Sequence, residues 1–382
     1  MFPRLPRIFQ SAVVLILAAS IAFARQETEP VLDGKKGSEW VDTLVNDSSA
    51  RKRALAVEAL AKLWTSKQYK ESLPAIGRAL RVDSSAAVRT QAAMALGLLK
   101  EEDIKQNVRD LIEALGTEKE PRVRKEIVVA IGRFPLVAKL AVTQMTDALK
   151  DKDAAVRAAS AEAIAQTGSE GKSAAAGLVP LLQDPEKSVR QAAVAALGRI
   201  SPEGSPAIAE TMAKMLGSEK DGGVKSELCV SLGLLGEKSP GVTTALAGLL
   251  TDPDEELRRK AVRVLGSFAL AAAPAADALL KTAATDKAKD IRSEAVHAFG
   301  SALGRAGTKA RVSDLLALLK DPEFEVRLAV VEEVGALGPE LKDDAATIKV
   351  LRGRLSDPHV KVREAASEAL KKIEKKAEAK KE

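Results

Sequence analysis

An acidic residue followed six positions later by a basic one returns ten times along this chain. The copies read DKDAAVRAASAEAIA from Asp151, DPEKSVRQAAVAALG from Asp184 and DPEFEVRLAVVEEVG from Asp321. The basic members are Arg53, Arg89, Arg124, Arg157, Arg190, Lys225, Arg258, Arg292, Arg327 and Arg363, spaced 33 to 36 residues apart. A period that steady means one small unit stacked on itself, each copy burying its apolar face only against its neighbours. The 382 residues therefore form one extended array rather than two or three separate globular domains.

The unit reads as helix, short turn, helix. Around the fourth copy, Val142, Met145, Ala148 and Leu149 have helical spacing and stop near Lys150, and Val156, Ser160, Ala163 and Ile164 form a second stripe. Between them the acid, Asp151 here and Asp184 one unit on, is expected to cap the second helix. Pro185, Pro253, Pro322 and Pro358 follow it at the expected first helical position. Prolines 74, 206, 240 and 274 mark expected starts of first helices. Counting from each basic residue, small or aliphatic side chains stand at three and six, and a large apolar knob at seven. Glycine stands at eight in seven copies. Small residues let helices approach closely. Positions one, two and five vary freely and are expected to be exposed. Aromatics are only 3% of the chain, so the core is aliphatic.

The first 24 residues read as an export signal. Arg4 and Arg7 supply a basic start, Ala12 to Phe23 an apolar run, and Ala22-Phe23-Ala24 a cleavage site. The run is shorter than the roughly 20 residues a membrane span needs. The expected divisions are signal 1–24, linker 25–36, ten repeats over 37–372 and charged tail 373–382. The mature product is an exported bacterial-type protein, periplasmic or extracellular, with no membrane span after cleavage. Of the formal charge of +6, two units belong to Arg4 and Arg7, and three to the tail after Leu370, where six lysines face three glutamates. The repeat body is close to neutral and has no aromatic stacking platforms in register, which argues against nucleic acid.

The repeated D-x-x-x-x-V-R-x-A-A-x-A-L-G pattern from about Gly37 to Lys372 resembles the HEAT-repeat family, in its short phycobilisome-lyase-like variety. The resemblance implies an all-α solenoid of about ten two-helix repeats, curved into a right-handed superhelix, with second helices lining the concave side. It implies a binding scaffold for a protein partner more than any chemistry. Some relatives of the fold are enzymes. The iron-dependent hydroxylases carry His-Glu pairs on their helices, but here His297 is followed by Ala298 and His359 by Val360. For the lyase activity nothing beyond the shared repeat speaks.

The residues themselves offer little catalytic material. The paired columns Asp151 and Arg157, Asp184 and Arg190, Asp252 and Arg258, Asp321 and Arg327, Asp357 and Arg363 are expected to form a structural ladder, each arginine fork meeting an acid of its own or the adjacent unit. Cys229 stands in a small-residue column without a histidine in its own or an adjacent unit, so it reads as a buried filler rather than a nucleophile. His297 and His359 lie two units apart, with no metal-ligand spacing around them. No metal, cofactor or catalytic residue is assigned, and the chain is expected to be a monomer and not an enzyme. The candidate partner groove is the fifth position past the base, where Met94, Val129, Ala195 and Val230 are apolar. Trp40, Trp64 and Tyr69 gather in the first unit as an expected end cap. The sixth unit, with Glu219, Asp221-Gly222-Gly223 and Lys225, is the expected weak joint.

Overall fold

The computed structural model describes residues 29–201, 205–236 and 239–374. The export signal and the tail beyond Glu374 lie outside the described residues. The chain falls into two compact units, Met1–Gln144 and Met145–Glu382. Each is a stack of helix pairs, the all-α solenoid that the period predicts. In the first unit the second helices Ala50–Lys67, Ala86–Gly97 and Pro121–Gly132 pack side by side in chain order. In the second unit Ala154–Ala165, Lys187–Ile200, Gly222–Leu235, Glu255–Phe268, Lys289–Ala310, Phe324–Leu337 and Val360–Glu374 do the same. First helices are shorter and often open or close in 3₁₀ turns, as in Val179–Gln183 and Leu249–Thr251.

The column logic of the repeat is visible in burial. All ten residues at position three, from Ala56 to Ala366, are fully buried. The knobs at position seven are fully buried in nine repeats, and Leu370 in the tenth is 7% exposed. Position eight explains itself by contact. A Cβ on Gly198 would sit 2.7 Å from Ser231 Oγ, and one on Gly335 would sit 2.7 Å from the Ala369 methyl. The missing side chains let neighbouring second helices come together. Positions one and two are less open than expected: Thr90, Ala158, Ala159, Ala192 and Ala329 are all buried. The stripe that faces neighbours is wider than a narrow helical seam, because each second helix is packed on both flanks as well as beneath.

Two expectations about the turn are corrected. The acid of the column is not the helix cap. Asp151 Oδ1 accepts from the amide of Asp153, two residues on, at 2.9 Å, and Asp153 then caps Ala154–Ala165 through Ala155 and Val156. Asp184, Asp252, Asp321 and Asp357 make the same two-residue turn. Consequently Pro185, Pro253, Pro322 and Pro358 precede the helices, in the second position of the turn, where their fixed φ is equally suitable. The carboxylate stands clear of the helix axis because an arginine claims its other edge. Pro206 and Pro240 do open first helices, whereas Pro74 is the third residue of Ser72–Val82 and Pro274 lies in the 3₁₀ segment Ala269–Ala275.

Lys289–Ala310 is broken at Gly304, whose φ of +61° only glycine adopts readily. Residues before the break belong to the eighth repeat and those after it open the ninth. Among the described residues one stretch, Glu255–Thr285, is long and apolar enough to cross a membrane. It is divided at Ala269 (φ +50°), and its Leu257, Leu265, Phe268 and Leu279 are core residues.

The first repeat carries a strap. Val31–Leu32 and Lys35–Lys36 form a short antiparallel hairpin, so the segment read as linker is structured at its end. Trp40 donates its indole N–H to the Leu32 carbonyl at 3.0 Å, and the Lys35 ammonium lies over the Trp40 ring. Tyr69 donates to Glu29 at 3.2 Å, and burial, then that carboxylate, pushes the phenol up to about 12. Trp64 is buried beneath.

Candidate functional site

The ladder consumes most of the repeated charge. Arg157 donates from Nε and Nη2 to the two oxygens of Asp184, one repeat on, at 2.8 and 2.9 Å. Its Nη1 donates back to the main-chain carbonyls of Asp151 and Lys152. Arg53 with Asp83, Arg89 with Glu118, Arg190 with Glu219, Arg258 with Asp286, Arg292 with Asp321, and Arg327 with Asp357 repeat the two-pronged bond. Each of these seven arginines thus ties its own turn to the next one. Burial works to raise the Asp184 carboxyl, but the Arg157 fork and the Glu186 amide outweigh it and hold it below the ordinary range. At Asp357 the Arg327 fork is the largest influence, in the same direction. Arg363 keeps only its backward bonds, to the carbonyls of Asp357 and Pro358; its fork faces no carboxylate among the described residues.

The sixth repeat is fully bonded at its turn. Glu219 takes Arg190 and the amides of Lys220 and Asp221, and Asp221 caps Gly223 and Val224. Gly222 and Gly223 are the first helical residues of Gly222–Leu235 rather than turn residues. The ladder changes character one step later, where Lys225 reaches Asp252 through a single bond of 2.8 Å.

What the ladder leaves open is an exposed edge on several second helices. In the first unit Met94 is 43% exposed and Val129 half-buried. In the second unit Val230 is 39% exposed, whereas Ala195 is half-buried and lines a hollow of about 290 Å³ rimmed by Glu162, Gln166, Gln191, Arg199 and Glu227. The four candidate residues therefore have different surroundings. The structure adds two that the column reading missed: Leu98, 72% exposed, and Leu234, 53% exposed. Each follows its partner by four residues, Leu234 on the same helix and Leu98 at the C-cap just past Gly97, so Met94 with Leu98, and Val230 with Leu234, make apolar pairs about one turn apart. The signal was present in the i, i+4 spacing.

Elsewhere on this edge polar groups link successive repeats. Gln91 bonds Glu58, and Arg263 makes a two-pronged bond to Glu294 at 2.9 and 2.7 Å. His297 does acquire acids, from the next repeat: Nδ1 lies 2.7 Å from Glu333 and Nε2 3.8 Å from Glu332. Glu333 occupies the sixth position, filled by alanine in most copies, and lies over Gly300. Its hydrogen bond is the main cause of the raised pKa of His297. His359 stacks on Phe324, ring centroids 3.5 Å apart. Cys229 is fully buried, and burial pushes its thiol up to about 12. Among the described residues no group of three His, Cys, Asp or Glu is placed to hold a metal ion.

A sequence-family profile described as HEAT repeats matches residues 38–132, 142–233, 209–300 and 298–371. No curated sequence matches the chain. Solved structures do. An engineered protein is 20% identical, covers 89% of this chain and 99% of its own, and has a TM-score of 0.57. Importin beta is 16% identical over 88% of this chain and 53% of its own, with a TM-score of 0.59. The karyopherin Kap121p bound to the extreme C-terminus of the phosphatase Cdc14p is 15% identical over 97% and 45%, with a TM-score of 0.59. The chain thus spans about half the length of importin beta and Kap121p. At these identities the likeness concerns the fold.

Proposed function

This chain belongs to the HEAT-repeat family, and we propose that it works as a non-catalytic scaffold docking a protein partner on the exposed edge of its second helices. The observation that carries this reading is the pairing of Met94 with Leu98 and of Val230 with Leu234, large apolar side chains left in solvent beside a ladder whose charges are already spent. Apolar side chains held four residues apart on a helix present a ready surface for a partner's apolar anchors. That Kap121p has been seen bound to a segment of Cdc14p supports the idea that repeats of this shape hold polypeptide. The steady period and the repeated acid–base–glycine columns support the short phycobilisome-lyase-like variety of the family. The basic start, apolar run and Ala22-Phe23-Ala24 support export of the mature protein.

The test is capture by the purified protein from an extract of the native cell, run in parallel with Met94→Glu/Leu98→Glu and Val230→Glu/Leu234→Glu. A partner held by the parent and lost by one folded variant supports the reading. The same partner held equally by both variants contradicts it.

A further inference from the structure

The second unit also holds two clefts of a different kind, on the side of the ladder turns. One, of about 560 Å³, is lined by Leu182, Arg190, Met215, Glu219, Lys214 and Lys220. The other, of about 530 Å³, occupies the equivalent place two repeats on and carries Lys281 and Lys287. The lysines fall at matching positions, five before and one after the ladder acid, Glu219 in one case and Asp286 in the other.

The acids of both clefts already have basic partners. Glu219 is held by Arg190 at 2.8 Å and Asp286 by Arg258 at 2.7 Å. In the second cleft Asp252 is held by Lys225 at 2.8 Å and Glu255 by Arg259 at 2.7 Å. None of the four cleft lysines has an ion-pair partner among the described residues, and all four are exposed. Each cleft therefore carries two lysines without a carboxylate partner beside apolar side chains, and in the second cleft Arg259 is shared between Glu255 and Glu256. At the joint between them the same two positions are Ala247 and Pro253, so the charge comes in two islands rather than a stripe.

We propose that the two clefts together bind an acidic polypeptide segment, with one group of carboxylates at Lys214 and Lys220 and a second at Lys281 and Lys287. Two repeat spacings of 8–10 Å put the islands about 20 Å apart, which an extended chain crosses in about six residues. A duplex nucleic acid has no reason to prefer two islands, because its phosphates run without gaps. This surface is separate from the second-helix edge, and neither proposal needs the other.

The experiment is fluorescence anisotropy on the full chain with three labelled peptides. One has two Glu-Glu pairs six residues apart, one has the four glutamates together, and one has glutamines instead. The spaced peptide is expected to bind about tenfold tighter than the clustered one, because the second contact becomes intramolecular. Lys214→Ala/Lys220→Ala and Lys281→Ala/Lys287→Ala should each abolish that advantage, and Lys62→Ala/Lys105→Ala should not. All six lysines are exposed, so folding, checked by circular dichroism, is expected to survive. Equal binding of spaced and clustered peptides, no binding of either, an equal loss in the Lys62/Lys105 variant, or tighter binding of an oligonucleotide of the same charge would each overturn the proposal.

Discussion

Arg327 and Asp357 face each other as fork to fork, Nε and Nη2 of the arginine each 2.9 Å from a carboxylate oxygen, with the Asp357 side chain wholly buried. One residue of each repeat is thereby committed to the next. Removing the arginine strands a buried carboxylate, and removing a repeat strands an arginine, so the ladder carries register as well as stability.

That asymmetry can be measured. Arg327→Ala should cost about 3 kcal/mol of unfolding free energy, because buried Asp357 would keep only Arg354, 3.7 Å away, as a charge partner. Arg363→Ala, which gives up two carbonyl bonds and no carboxylate, should cost under about 1 kcal/mol. Urea titrations of the two variants decide it; equal losses would show that the fork contributes nothing beyond its backward bonds.

Acid should unfold the protein through these carboxylates. Asp83, Glu118, Asp184, Glu219, Asp252, Asp286 and Asp357 all have depressed folded-state pKa values. The unfolded chain then binds more protons between the folded value and the ordinary value near 4, so the stabilisation is complete above that value and disappears as pH falls below it. The urea midpoint should be flat from about pH 6 to about 5 and drop steeply below about 4. A midpoint that rises or stays level down to pH 3 contradicts the ladder's role.

The joint between the sixth and seventh repeats should be the soft one among the internal ladder steps. Lys225 offers Asp252 a point charge where arginine offers a fork. Lys225→Arg should raise stability by about 1 kcal/mol, and amide exchange in the parent should be faster on the helix starting at Gly222 than on Lys187–Ile200. Uniform exchange together with no gain in the variant would show that a lysine serves as well.

His297 titrates against Glu333. Its folded pKa is raised, so its contribution to stability is complete below the ordinary histidine value near 6.5 and is lost as pH rises through the folded value. Glu333→Gln should bring the His297 ring resonance back toward an ordinary titration. A His297 titration unaltered by the substitution would place the cause elsewhere.

Periodicity alone carried the repeat, its core columns and the arginine that faces an acid. Burial at positions three and seven follows directly from spacing, because a helix can present those residues only toward its neighbours. Which carboxylate oxygen goes where did not follow. The sequence places Asp151 before a helix, and both a cap and a preceding turn satisfy that; the choice fell to the arginine's demand, a contact 27 residues away in the case of Arg157 and Asp184. The His297–Glu333 pair was hidden for the same reason, although the glutamate in an alanine column was a visible irregularity. Leu98 and Leu234 were missed because attention to one column ignored its neighbour one helical turn on.

The most direct test of the scaffold is a photo-activatable cross-linker placed in turn at Leu98, at Leu234 and, as a control, at the turn residue Lys152, with each protein exposed to extract of the native cell. The account predicts one discrete adduct of the same partner from Leu98 or Leu234 and none from Lys152. Adducts that appear equally at all three positions, or at Lys152 alone, would contradict docking on the second-helix edge.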